Sequence, residues 1–180
     1  MKLTPENTAL IIIDVQSRLL PVIDQHEHLI RQIERMVRGA NALKIPVLVT
    51  EQYPEGLGAT ATAISDLIQP FEPIVKMTFS CCGEEQFMAA VGRLQRSQLL
   101  VAGIEAHICV WQTCQDLLAR GFEVHLLTDG IGSRDPANKQ LAIDNVCARG
   151  GRLTGVEMAL FELLQTAATP VFRTISRIIK

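Results

Sequence analysis

Aromatic residues are scarce: one Trp, one Tyr and six Phe in 180 residues. A nucleic-acid surface built on base stacking needs more of them. Nor does charge of either sign dominate. Seventeen Lys and Arg against 19 Asp and Glu leave a formal net charge of −2, so the electrostatic footprint of a nucleic-acid partner or an anionic membrane is missing. No apolar run approaches the roughly 18 residues a membrane span needs. The five cysteines, Cys81, Cys82, Cys109, Cys114 and Cys147, form no Cys-x-x-Cys pair, which removes the usual zinc and dithiol motifs. Their odd number predicts reduced thiols and a cytoplasmic protein. The opening run Met1-Lys-Leu-Thr-Pro-Glu-Asn-Thr8 is polar and carries Pro5. It reads as neither a secretory signal nor a transit peptide. No repeat, linker or low-complexity segment interrupts the chain.

What is there is an ordinary globular composition, 48% hydrophobic and 20% charged. The length suits one domain, residues 1–180, with a sizeable core. Short apolar runs alternate with helical periodicity. Ala9–Ile13 is continuously apolar, the mark of a strand covered on both faces. Leu29, Ile33, Val37 and Ala40 recur at helical spacing within 24–43. Further strands are predicted at 47–49, 73–75, 98–102 and 123–127, with a short edge strand at 152–154. Helices are predicted at about 84–94, 106–120, 136–149 and 156–164, with a shorter one ending near Ile68 and a helical turn or two after Pro170. The segments Tyr53–Gly58 and Thr128–Pro136 read as loops by their Gly, Pro and Asp content. Alternation of this kind predicts an α/β fold: a three-layer α-β-α sandwich on a mostly parallel sheet of about six strands. Right-handed crossovers place all the strand C-terminal ends on one rim, where ligands bind in such sheets.

Three chemically distinct residues fall on that rim. Asp14 directly follows the first strand, Lys76 follows the third, and Cys109 lies just beyond the fourth. Cys109 also sits in the predicted first turn of the 106–120 helix. There the helix dipole and unpaired amides favour a thiolate, which is the nucleophilic form. A carboxylate, an ammonium and a thiol in one cleft can run covalent hydrolysis: the carboxylate takes the thiol proton and the ammonium stabilises the anions. Strand-end position makes Gln16, Gln52, Tyr53, Phe79 and Ile108 candidate substrate-binding residues. His26 and His28 read as solvated, and His125 as a packed or interface residue. His107 reads as a local cap or part of the pocket mouth. Cys81 and Cys82 are either packing residues or thiols near the site, and Cys114 and Cys147 read as core.

The runs Ile12-Ile13-Asp14-Val15-Gln16, Lys76-Met-Thr-Phe79-Ser80 and Gly103-Ile-Glu105-Ala-His-Ile-Cys109-Val110 occur in an order and spacing that resemble the isochorismatase-like cysteine hydrolase superfamily. The resemblance runs from about Thr8 to Leu164. The loop Thr50-Glu-Gln-Tyr-Pro-Glu-Gly-Leu-Gly58 further resembles the isochorismatase domain-containing proteins. The resemblance implies an Asp14–Lys76–Cys109 triad in which Cys109 attacks a carbonyl carbon. It also implies a non-proline cis peptide between Ile104 and Glu105, and an oxyanion hole made by the backbone N–H groups of Glu105 and Cys109. Isochorismatase proper cleaves a vinyl ether and lacks the nucleophilic cysteine. Cys109 therefore moves the chain towards the amidase side, which resembles nicotinamidase and N-carbamoylsarcosine amidohydrolase.

Nicotinamidases carry a metal-binding Asp-x-His after the second strand, where this chain has Glu51-Gln52-Tyr53. No metal and no cofactor are predicted. The expected partners are a small-molecule substrate and further copies of the chain, as a dimer or tetramer. The expected activity is an amidohydrolase-type cysteine hydrolase acting on a small amide or related carbonyl compound. The competing expectation is a catalytically silent binding or scaffold protein on the same fold. A phosphoryl-transfer domain is set aside, because such domains need a second acidic residue near Asp14, where Gln16 stands.

Overall fold

The computed structural model describes residues 2–180. Met1, the first residue of the polar opening run, lies outside them. Six strands form one sheet: β1 (Thr8–Ile13), β2 (Val47–Gln52), β3 (Ile74–Lys76), β4 (Gln98–Ile104), β5 (Glu123–Gly132) and β6 (Arg152–Thr154). Their order is β3-β2-β1-β4-β5-β6, and every pairing is parallel. Eight helices surround the sheet among the described residues: α1 (His26–Ala42), α2 (Pro54–Leu57), α3 (Thr62–Ser65), α4 (Glu85–Leu94), α5 (Trp111–Ala119), α6 (Pro136–Ala148), α7 (Val156–Leu164) and α8 (Phe172–Ile179). This is the three-layer α/β/α arrangement.

The apolar alternation of the central strands divides the core in two. Leu10, Ile12, Leu100, Ala102 and Ile104 face a layer built from Ile33, Met36 and Val37 of α1, Leu160 of α7 and Ile175 of α8. Ala9, Ile11, Ile13, Leu99 and Val101 face Phe87 of α4, Cys114 and Leu117 of α5 and Val146 of α6. Every residue of β1 and β4 is buried, which is why these strands read as unbroken apolar runs. The strand order reverses between β1 and β4. In open α/β sheets, ligands bind in the crevice at such a switch point, outside the strand C-termini.

Two segments differ from their sequence expectation. Thr128–Gly132 was expected in a loop but extends β5, because β5 bulges between Leu126 and Ile131 and then pairs again, Ile131 with Gly103 and Gly132 with Ile104. The glycines that mimic a loop signal are there for space: a Cβ on Gly132 would press on Ile23 and Leu29. The second difference lies at the helix that carries Cys109. Residues Ala106–Val110 form a π-type turn, and regular α-helix begins only at Trp111. Such turns occur mostly as single insertions, frequently at functional sites. Cys147 also departs from expectation: it is exposed on α6, not core, whereas Cys114 is fully buried.

Gly103 is required where β4 passes β1. Its φ is +128°, and a Cβ there would collide with the Ile13 backbone. Gly103→Ala is expected to destabilise the protein by about 2–4 kcal/mol through strain and backbone displacement, measured as a lowered urea midpoint with unchanged slope.

Candidate active site

Asp14 leaves β1 in a left-handed conformation, φ +54°, which Asp tolerates better than most residues. Its amide donates to the Thr50 carbonyl (3.2 Å). The carboxylate is then held on both oxygens. Oδ1 accepts from Thr50 Oγ1 at 2.8 Å, and Oδ2 lies 2.7 Å from Lys76 Nζ. Oδ2 is buried and has no further hydrogen-bond partner, so its contact with Lys76 is an ion pair.

Lys76 is the last residue of the edge strand β3, yet it is 1% exposed. Its Nζ also donates to Gln52 Oε1 (2.7 Å) and to the carbonyls of Thr78 and Phe79 (both 3.1 Å). Burying a charge costs several kcal/mol per ion unless it is paired and hydrogen-bonded, and four oxygens meet that need here. Burial is the largest single effect and disfavours the ammonium, but Asp14, Cys81 and Cys109 together outweigh it, and the Lys76 pKa is raised overall.

Cys109 lies in the π-type turn, 7% exposed. Contrary to the helix-dipole expectation, its thiol is pushed up to about 12. Burial is the first cause and the Asp14 carboxylate the second, while Lys76 pulls the other way. The resting group is therefore a neutral thiol beside a carboxylate that can accept its proton. The peptide bond between Ile104 and Glu105 is cis. The Glu105 carbonyl accepts from the amides of Ile108 (3.1 Å) and Val110 (3.3 Å), on either side of Cys109.

The other candidates divide by position. Gln16 is fully buried and spends its amide on the chain: Oε1 accepts from Gln52 N (2.8 Å), and Nε2 donates to the carbonyls of Gln52 (3.0 Å) and Gly58 (2.6 Å). Gln52 holds Lys76 through Oε1 and donates from Nε2 to the Met77 carbonyl (2.9 Å). Both glutamines thus shape the loop and the ammonium. Tyr53 and Phe79 are 47% and 56% exposed at the surface, and Ile108 is half-buried next to Cys109. Glu51 accepts from Thr60 N (2.6 Å) and Oγ1 (2.7 Å). Among the described residues no group of three or more His, Cys, Asp and Glu is arranged to hold a metal ion. His107 Nδ1 lies 3.0 Å from Ser133 Oγ. His125 is buried, as its alternation with apolar neighbours suggested.

Sequence reasoning missed two residues of the site, Thr50 and Arg134, and left a third, Cys81, open between packing and proximity to it. Thr50, paired in register with Ile13, lies on the same rim as Asp14 and could have been found by the strand-end argument. Cys81 donates to Thr50 Oγ1 at 3.7 Å, and its own thiol is raised to about 11, chiefly by burial. Arg134 grips the Glu105 carboxylate from its backbone N (3.0 Å) and from Nε (3.1 and 3.2 Å). Nothing local in sequence signals that last contact, which spans 29 positions.

The model of the isochorismatase domain matches residues 8–158. The chain belongs to the isochorismatase family of hydrolases. It is 35% identical to the secreted isochorismatase effector Isc1 of Phytophthora sojae, covering 99% of this chain and 87% of that protein. It is 34% identical to isochorismatase domain-containing protein 2A of Mus musculus, covering 99% and 85%. Among solved structures it resembles the MAR1 ribonuclease of Caenorhabditis elegans, with TM-score 0.94 and 32% identity over 99% of this chain and 92% of that one. Among the described residues no helix is long and apolar enough to cross a membrane.

Two outcomes follow from these contacts. Thr50→Val removes the donor to buried Asp14 Oδ1 and is expected to cost about 1–3 kcal/mol in chemical denaturation, with Thr50→Ser restoring most of it. The rate of Cys109 alkylation by iodoacetamide, followed by peptide mass spectrometry, should still be rising above pH 9. Asp14→Asn removes a negative charge and shifts that profile to lower pH; Lys76→Met removes a positive charge and shifts it higher.

Proposed function

We propose that this family member is a cysteine amidohydrolase that cleaves a small amide or related carbonyl compound through Asp14, Lys76 and Cys109, within a single domain spanning 1–180. The observation that carries the reading is the buried Lys76–Asp14 pair, 2.7 Å apart, acting electrostatically on Cys109 as well as on Cys81, of which Cys109 follows β4 at the switch point. In the first step the Cys109 sulfur bonds to the carbonyl carbon while its proton passes to Asp14. The proton transfers only as the S–C bond forms, which suits a thiol that is neutral at rest. The carbonyl oxygen becomes an oxyanion, received by the amides of Glu105 and Cys109. The C–N bond then breaks, Asp14 returns the proton to the leaving nitrogen, and a thioester remains. Water attacks that thioester with Asp14 as base. The carboxylic acid leaves and the sulfur recovers its proton. Lys76 keeps Asp14 in place and balances charge at each stage.

Tyr53, Phe79 and Ile108 are assigned to the mouth above Cys109, with Gln16 and Gln52 supporting it from behind. A site this buried suits a small-molecule substrate. No metal or cofactor enters the scheme. Reduced cysteines, four of the five buried, suit a cytoplasmic setting, although the Phytophthora relative is described as secreted. A dimer or tetramer remains the proposed assembly. The name of the Caenorhabditis structure points to RNA cleavage instead. A buried thiol with a carboxylate base favours carbonyl carbon over phosphorus, and RNA serves as the comparison substrate in the test.

The test is turnover across a panel of small primary amides and ureido compounds, read as ammonia release. Cys109→Ala is expected to abolish it, and Asp14→Asn to lower kcat at least about 100-fold even though its thiol ionises more readily. Turnover that survives Cys109→Ala, or RNA cleavage without amide cleavage, would overturn the assignment.

A further inference from the structure

On the sheet face opposite the α4–α6 layer, α1 and α8 line a shallow surface cavity of about 420 Å³ that is open to solvent. Four arginines line it: Arg31, Arg35 and Arg38 from α1 and Arg177 from α8, with Thr174 beside them and Glu34 as the sole carboxylate in the lining. Three positive charges are thus in excess in a chain whose net charge is −2. Among the described residues, none of Arg35, Arg38 and Arg177 has a carboxylate within the 4.0 Å of an ion pair. Arg31 reaches only Glu27, at 3.8 Å on an exposed surface. The three α1 arginines follow at i, i+4 and i+7, so they stack on one helix face. Like charges so placed destabilise a helix by a few tenths of a kcal/mol per pair unless an anion lies between them.

We propose that this cavity is a binding site for a linear oligophosphate. At about 1.5 Å rise per residue, Arg31 to Arg38 spans roughly 10 Å along the helix. A row of that length, joined from across the cavity by Arg177, matches a chain of several phosphates better than a single one. Guanidinium is the preferred partner for phosphate because its planar fork donates two parallel hydrogen bonds, and the Thr174 hydroxyl adds a neutral donor. The remaining lining residue is Ile178. Without an aromatic ring in the lining, the cavity has no stacking surface for a nucleobase. A nucleotide would therefore bind through its phosphates alone, as inorganic tripolyphosphate would. The site is separate from Cys109, which belongs to the other apolar layer.

Calorimetric titration of the full chain with sodium tripolyphosphate at low ionic strength tests the proposal. Saturable 1:1 binding is expected, weakening steeply as salt is added. ATP should bind within a few-fold of tripolyphosphate, and orthophosphate at least about tenfold more weakly. The double variant Arg35→Gln/Arg38→Gln should weaken binding about tenfold or more, whereas Arg93→Gln on α4 should leave it unchanged. The double variant should melt at or above the wild-type temperature, since it relieves like-charge repulsion. Arg177→Gln gives an independent reading from α8 and should also weaken binding. No saturable binding at millimolar tripolyphosphate would overturn the proposal. So would binding unchanged in both the double variant and Arg177→Gln, or ATP binding more than tenfold tighter than tripolyphosphate. Binding of a short single-stranded RNA without tripolyphosphate binding would do the same.

Discussion

The contact on which the site depends is the buried ion pair between Lys76 and Asp14. An ammonium on a short edge strand is normally solvated, because its desolvation is costly. Here its Nζ sits among the Asp14 carboxylate, the Gln52 side chain and two backbone carbonyls. Meeting that demand explains much of the surroundings. The segment after β3 must fold back over the ammonium to present the Thr78 and Phe79 carbonyls. Gln52 must end β2 facing Lys76, and Gln16 must in turn hold Gln52. Two residues that read as candidate substrate ligands, Gln16 and Gln52, also frame this positive charge.

The sheet brings that charge to a thiol. Strand order reverses between β1 and β4, so the crossovers that follow these two strands depart to opposite faces. Asp14 follows one of these strands and the Glu105–Cys109 turn the other, so both stand at the switch point. Gly103 allows β4 to pass close to the β1 backbone, and Arg134 ties Glu105 to the segment after β5. The π-type turn places Cys109 in a dry environment. Such a cysteine rests as a thiol. A low-pKa thiolate, by contrast, would react with electrophiles and oxidants indiscriminately.

The same fold gives its two faces different electrostatic characters. The layer behind Cys109 is built mainly of apolar contacts and buried thiols. The outer side of the opposite layer carries arginines in a row, joined by one from the far end of the chain. A net charge near zero conceals this concentration, since acidic residues elsewhere cancel it in the sum. Whole-chain charge speaks about long-range steering, whereas a cavity is read by the few groups that line it.

Sequence by itself determined the order of elements, the parallel sheet and the common rim, because β1 and β4 are buried on both faces and show it as unbroken apolar runs. It also determined that Asp14, Lys76 and Cys109 stand at strand ends, since each directly follows an apolar run or lies one turn beyond it. Tertiary structure alone decided what these groups are like. A helix start suggested an acidic thiol, but burial beside a carboxylate made it a weak acid, because desolvation acts through neighbours that are remote in sequence. The glycine-rich stretch after Leu127 reads locally as a loop and becomes strand because, past a bulge in β5, the end of β4 offers it pairing partners and Ile23 leaves room for nothing larger. Thr50 and Arg134 entered the site, and Cys81 was settled beside it, for the same reason: their partners lie 29 to 36 positions away, and only the closed sheet brings them within reach.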